Sequence, residues 1–182
     1  QGHEALRCFE EMQREGLYPD EVTFTGILKS CGSIKSLNKG KQIHEEIIKR
    51  GLLKENVVLG NALVDMYAKC GALAKAQEVL EELSTRDIVS WNALIAGYAQ
   101  RGQVHEVLDC FKQMQSECLS PNAITFTCIL KACASTRALA KGQAIHAEIV
   151  KEGLLGKDTM LGNALVDMYS KCGAIVKAED VF

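Results

Sequence analysis

Two short stretches carry the residue types of a zinc-dependent deaminase. His44-Glu45-Glu46 and His146-Ala147-Glu148 both spell His-x-Glu, in which an imidazole can ligate zinc and a carboxylate can shuttle a proton. Such a site also needs a Pro-Cys-x-x-Cys pair. Here the nearest cysteines, Cys128 and Cys133, stand five apart. Without further ligands both triplets read as structural, and neither a metal nor a cofactor is expected. Eight cysteines with no Cys-x-x-Cys spacing read as reduced thiols in a reducing compartment. Cys31 recurs as Cys133 and Cys70 as Cys172, which reads as small packing residues near helix ends. Cys8, Cys110, Cys118 and Cys128 do not recur and read as incidental. No nucleophile–base arrangement stands out, so the chain is not expected to be an enzyme.

A second set of polar residues is spaced regularly. It comprises Thr25, Asn61, Asn92, Thr127 and Asn163, together with Asp20, Asn56, Asp87, Asn122 and Asp158. The spacing follows from internal repetition, the first property to look for in a chain of this kind. Residues 60–67 and 162–169 both read GNALVDMY, an offset of 102. At that offset residues 21–80 and 123–182 are identical at 35 of 60 positions. The 102-residue block divides into units of 35, 36 and 31 residues. The expected frame is 1–20 (partial), 21–56, 57–87, 88–122, 123–158 and 159–182 (partial). In it, the first polar group holds the fifth residue of a unit and the second group the last. The second residue is always apolar: Val22, Val58, Val89, Ile124 and Met160.

Each half-unit has helical periodicity. Trp91, Leu94, Ile95 and Tyr98 fall at i, i+3, i+4 and i+7, and Val104, Val107, Leu108, Phe111 and Met114 form one stripe after Gly102. Gly71 and Gly173 hold the place of Gly102 in the 31-residue units. Every unit thus reads as two amphipathic helices around a glycine-containing turn. One such pair is too short to bury its apolar face, so the pairs must stack and share a core. The expected fold is all-α, an α-solenoid of stacked antiparallel helix pairs over residues 1–182.

Bulk properties bound the partners. The chain has 182 residues, is 47% hydrophobic and 24% charged, and carries a net charge of −2. No broad basic field marks it for polyanions. Lys35, Lys39, Lys41, Lys49, Arg50 and Lys54, then Lys141, Lys151 and Lys157, form only a weak basic stripe among acidic residues. No apolar run approaches the roughly 18 residues of a membrane span. The opening QGHEALRCFEEMQ already reads as helix interior. The expectation is a fragment, with any targeting segment outside it.

The phrases WNALIAGYAQ, KGKQIHEEIIKRG and GNALVDMYAKCG and the 35/36/31 cycle resemble the pentatricopeptide-repeat family, specifically its plant PLS subclass. They match its P, L and S units in turn, across the entire chain. The tetratricopeptide repeat, with a uniform 34-residue period, fits the unequal cycle poorly. The resemblance implies a right-handed superhelix that recognises single-stranded RNA in mitochondria or chloroplasts. It further implies a part in specifying C-to-U editing sites, with a deaminase domain placed C-terminal to this stretch. The alternative it implies is a protein-interaction scaffold, whose L units dock editing accessory proteins or peptides. Neither membrane nor small-molecule substrate is implied.

The resemblance also assigns roles. Single-stranded bases can be splayed out and read one per helical repeat, and Asn and Thr offer both donors and acceptors for this. In the family the fifth and last residues select the base, and the second sandwiches it. By the family's pairing rule Asn61 with Asp87 implies U, and Asn92 with Asn122 implies C with U tolerated. Thr25 with Asn56 implies A, Thr127 with Asp158 implies G, and Asn163 a pyrimidine. Asp20 has no fifth residue to pair with. The RNA would run 5′ to 3′ from N to C, roughly A-U-C-G-Y. A structural alternative stands beside each role. Asp and Asn at a unit's end commonly cap the next helix, and the Val22, Val58 and Val89 set could equally be core. Asn61 and Asn92, inside the helix where Asn is a poor former, favour the functional role.

Overall fold

The computed structural model describes residues 1–54, 56–155 and 159–181. Among them are eleven α-helices and no strand. After a single leading helix, ten fall in pairs within the repeat frame: α1 (Gly2–Arg14); α2 (Glu21–Ser33) and α3 (Leu37–Lys49); α4 (Val57–Lys69) and α5 (Leu73–Glu82); α6 (Ile88–Gln100) and α7 (Val104–Ser116); α8 (Ala123–Ser135) and α9 (Leu139–Lys151); α10 (Thr159–Lys171) and α11 (Ile175–Val181). The helices form two compact units, Gln1–Gly97 and Tyr98–Phe182.

In the first unit the core is built by stripes at helical spacing. Phe24, Ile27, Leu28 and Cys31 of α2 are buried, as are Ile43 and Ile47 of α3 and Leu59, Leu63, Met66 and Tyr67 of α4. Trp91, Leu94 and Ile95 of α6 are buried as expected. The second unit repeats the pattern with Phe126, Ile129, Leu130 and Cys133 of α8 and Leu161, Leu165, Met168 and Tyr169 of α10. The equivalence extends to individual contacts. Phe9 and Phe24 pack with ring centroids 6.2 Å apart in the first unit, and Phe111 and Phe126 at 5.8 Å in the second. Such pairs contribute about 0.5–1.5 kcal/mol beyond their buried area. Cys110, read as incidental, is buried, and burial pushes its thiol up to about 12. It belongs to the core.

The turns depart from the sequence reading in the two 36-residue units. Gly71, Gly102 and Gly173 take positive φ (77°, 66° and 77°), the left-handed conformation that ends a helix at least cost. In the units 21–56 and 123–158 that position is held by Lys35 (φ 55°) and Arg137 (φ 52°). The closure is nevertheless the same. The N–H of Ser36 donates to the Cys31 carbonyl at 2.9 Å, and the N–H of Ala72 to the Tyr67 carbonyl at 2.9 Å. Glycine is therefore not a requirement of this turn. An L-residue there costs roughly 1–2 kcal/mol, which the packing of the two helices absorbs. Replacing Lys35 or Arg137 by Gly is expected to stabilise the chain by about 0.5–1 kcal/mol, the relieved strain being partly offset by unfolded-state entropy. A fall in the urea midpoint of K35G would contradict this account.

Candidate RNA-reading site

The five apolar second residues are not core. Val22, Val58 and Val89 in the first unit and Ile124 and Met160 in the second are all exposed, from 45% for Met160 to 78% for Val22. Each lies in the first turn of the first helix of its repeat. The fifth residue follows at i+3, so the exposed apolar group and the polar group share one helix face. An apolar side chain left in water beside a carboxamide or hydroxyl is the arrangement a planar, polar-edged ligand would complete.

The closing residues do cap the next helix. Asp20 accepts from the Thr23 N–H (2.8 Å) and hydroxyl (2.6 Å) at α2. These bonds hold its carboxyl below the usual carboxylate range. Asn56 accepts from the Leu59 N–H at α4 (2.9 Å). Asp87 accepts from the Val89 and Ser90 N–H groups at α6, both at 2.9 Å. Asn122 forms a capping box with Thr125 at α8. Asp158 lies outside the described residues.

Capping does not exhaust Asp87. The Asn61 amide nitrogen donates to both oxygens of its carboxylate, at 3.1 and 3.0 Å. The fifth and last residues of repeat 57–87 are thus joined, with the Asn61 amide fixed in orientation. Its own oxygen, Oδ1, is buried and has no donor among the described residues. A bare buried acceptor is costly unless something else completes it.

The other repeats differ. In 21–56 the Thr25 hydroxyl donates to the Glu21 main-chain oxygen (2.8 Å), and the Asn56 amide donates to the Glu21 carboxylate instead of meeting Thr25. Asn92 is buried in the first unit. In the second unit Thr127 is buried with an unpartnered hydroxyl, while Asn163 is exposed. Glu21 is the residue that sequence reasoning missed. Its signal was an ionisable side chain opening a repeat where the others open on Val57, Ile88, Ala123 and Thr159.

The His-x-Glu histidines are structural. His44 Nδ1 shares a 2.9 Å hydrogen bond with the Tyr67 hydroxyl, and His146 with Tyr169 at the same distance. The ring pairs are edge-on, at 5.5 and 5.7 Å. Burial holds both imidazoles below their ordinary value and pushes the Tyr67 phenol up to about 12. Surface ion pairs include Lys39–Glu10 and Lys69–Asp65, both at 2.7 Å. Among the described residues no cluster of three His, Cys, Asp or Glu side chains could hold a metal. Nor is any helix long and apolar enough to cross a membrane.

These features define a class of protein: tandem helix-pair repeats that present one exposed apolar residue and one polar residue per repeat. Models of the PPR repeat match residues 1–17, 61–88 and 163–182, and a PPR repeat family model matches residues 86–135. The chain belongs to the pentatricopeptide-repeat family. It is 41% identical over 179 residues to a pentatricopeptide repeat-containing protein of Arabidopsis thaliana, aligning 98% of this chain with 26% of that one. It is equally identical to a chloroplastic relative over 181 residues (100% and 29%) and to a mitochondrial one over 181 residues (99% and 26%) of the same plant. The chain therefore spans about a quarter of the length of these relatives. Its fold matches that of pentatricopeptide repeat protein PPR10 from maize (TM-score 0.75, 25% identity, 94% of this chain and 25% of that one). It also matches PPR10 in complex with an 18-nucleotide psaJ RNA element (TM-score 0.80, 24% identity, 96% and 26%).

Two outcomes follow from this geometry. Val58→Ser should change stability by less than about 0.5 kcal/mol, whereas Leu59→Ala, one residue on and fully buried, should cost about 2–5 kcal/mol. Equal costs in urea denaturation would return Val58 to the core. Because the folded chain binds a proton at His44 and His146 less readily than the unfolded chain, their contribution is complete above about pH 6.5 and is lost as pH falls below it. The urea midpoint should decline as pH falls below about 6.5, and a His44→Gln/His146→Gln variant should flatten that decline. An unaltered slope in the variant would contradict the assignment.

Proposed function

We propose that this chain binds single-stranded RNA as one array over residues 1–182, about one base per repeat. The observation that carries the reading is the Asn61–Asp87 pair beside exposed Val58. Asp87 occupies the amide nitrogen of Asn61, so the group Asn61 has left for a ligand is the acceptor Oδ1, buried in the unliganded chain and uncovered for a base by movement of the side chains around it. The N3–H of uracil is a donor on a ring small enough for one repeat, whereas N3 of cytosine is an acceptor. The physical reading and the family's pairing rule agree on U. Val22, Val58, Val89, Ile124 and Met160 would hold base faces. Asn92 with Asn122 is assigned C, Asn163 a pyrimidine, and Thr25 and Thr127 with their closing residues weaker positions. The repeat lengths of 35, 36 and 31 residues support the PLS subclass, and with it the specificity array of an organellar C-to-U editing factor. Relatives named chloroplastic and mitochondrial support an organellar site of action. With a net charge of −2, base contacts rather than phosphate neutralisation carry the recognition, and affinity should depend only weakly on salt.

A second reading, docking of editing accessory proteins, draws on the groove between α7 and α9 in the 98–182 unit. Leu108, Phe111, Ala144 and Ile145 line it, with Lys112 and Glu148 at its sides. The two readings are compatible on one molecule.

The test is Asp87→Asn. Asn caps a helix as well as Asp, so the fold is kept while Asn61 loses its carboxylate partner. Fluorescence anisotropy with oligonucleotides differing at the one nucleotide opposite repeat 57–87 should show U preferred by the unaltered chain. D87N should shift the preference toward C, with a change in the U/C ratio of about 5-fold to 100-fold, the range of a base-edge contact. An unchanged base ranking would end the assignment of this pair.

A further inference from the structure

In repeat 21–56 the closing residue and the fifth each bond Glu21. Asn56 uses its oxygen to cap α4 (2.9 Å from the Leu59 nitrogen) and its amide nitrogen to bond the Glu21 carboxylate. Thr25, in turn, donates its hydroxyl to the Glu21 main-chain oxygen at 2.8 Å. Repeat 57–87 is wired the other way: Asp87 caps α6 and holds the amide of the fifth residue, Asn61. Both closing residues cap, and they differ in where the remaining side of the head group points. The two repeats also differ in the opening residue. Glu21 presents a carboxylate within reach of Asn56, whereas the other repeats open on Val57, Ile88, Ala123 and Thr159, none of which is ionised. Glu21 is not needed to cap α2, because Asp20 does that. It is exposed, in the first helical turn. The same carboxylate lines the surface hollow shared with Leu52, Lys54 and Asn56, next to exposed Val22.

We propose that Glu21 sets base selectivity at repeat 21–56 by holding the Asn56 amide away from Thr25, so that this repeat discriminates weakly among bases. The inference rests on the base-reading function proposed above. Glu21 acts as a positioning residue. Once it is removed, the Asn56 amide is released toward Thr25, and the repeat acquires the Thr/Asn combination that the family's rule assigns to adenine. The Asn56 cap on α4 is kept throughout, because it uses the opposite end of the head group.

The complete 182-residue chain and three variants, Glu21→Ala, Glu21→Gln and Glu21→Ala/Asn56→Ala, would be titrated with RNA varied at the nucleotide opposite repeat 21–56 and, separately, opposite repeat 57–87. The unaltered chain should rank the four bases within about twofold at the first nucleotide while preferring U at the second. E21A should favour A at the first by about fivefold, the size of one net hydrogen bond, with no change at the second. E21Q retains an acceptor for the Asn56 amide and should stay flat, and the double variant should be flat again. If E21Q and E21A behave alike, or if both raise affinity uniformly at the two nucleotides, Glu21 acts through charge alone and the inference is overturned. A U preference opposite 57–87 with a flat E21A profile likewise removes the inference while leaving the base-reading function intact. No base preference at either nucleotide removes that function, and the inference with it.

Discussion

The first N–H groups of an α-helix have no partner inside the helix and must find an acceptor elsewhere. In this chain α2, α4, α6 and α8 each find one in the residue that closes the preceding repeat: Asp20, Asn56, Asp87 and Asn122. This one requirement places a short side chain with at least one oxygen acceptor at the junction of every pair of consecutive repeats it serves. In Asp87 and Asn56 the same head group also bonds a second side chain, Asn61 and Glu21 respectively. Substituting such a cap by Ala typically costs about 0.5–2 kcal/mol, so the residue is retained for stability whatever else it does. In the base reading proposed for this chain, selection is built on a residue that folding already holds in place.

Asp87 shows the outcome when the spare side is used. One carboxylate satisfies two backbone donors and the Asn61 amide at once, so the orientation of Asn61 depends on the same atoms that start α6. A reading group oriented before the ligand arrives loses little entropy on binding. Asn56 shows the same cap with its spare side taken by Glu21. The capping requirement is constant, and the wiring around it is what varies from repeat to repeat.

Much of the fold was legible in the sequence, because burial follows a period of 3.6 residues and the stripes of α2, α4, α6 and α7 obey it. The turns of the 36-residue units were not. Lys35 and Arg137 adopt a left-handed conformation that a sequence rule reserves for glycine, since a penalty of roughly 1–2 kcal/mol is small beside the packing of a helix pair. At the candidate site, the recurrence of the polar and apolar positions was legible from the 102-residue repetition. Their wiring was not. Whether Asn56 meets Thr25 or Glu21 depends on side-chain geometry across 35 residues of chain, and the seclusion of Asn92 and Thr127 depends on neighbours rather than on residue type. Exposure resolved what residue type left open: Val22, Val58 and Val89 have the composition of core and the placement of surface.

The central claim is that Asn61, oriented by Asp87, offers its bare oxygen to a base donor. The most direct measurement is proton NMR of a short single-stranded RNA containing one uracil opposite repeat 57–87. In the free strand the uracil N3–H exchanges with water too fast to observe. The account predicts a protected imino resonance on binding to the chain, absent when Asn61 is replaced by Ala. A bound RNA with no protected imino proton, or one whose resonance survives Asn61→Ala unchanged, would contradict it.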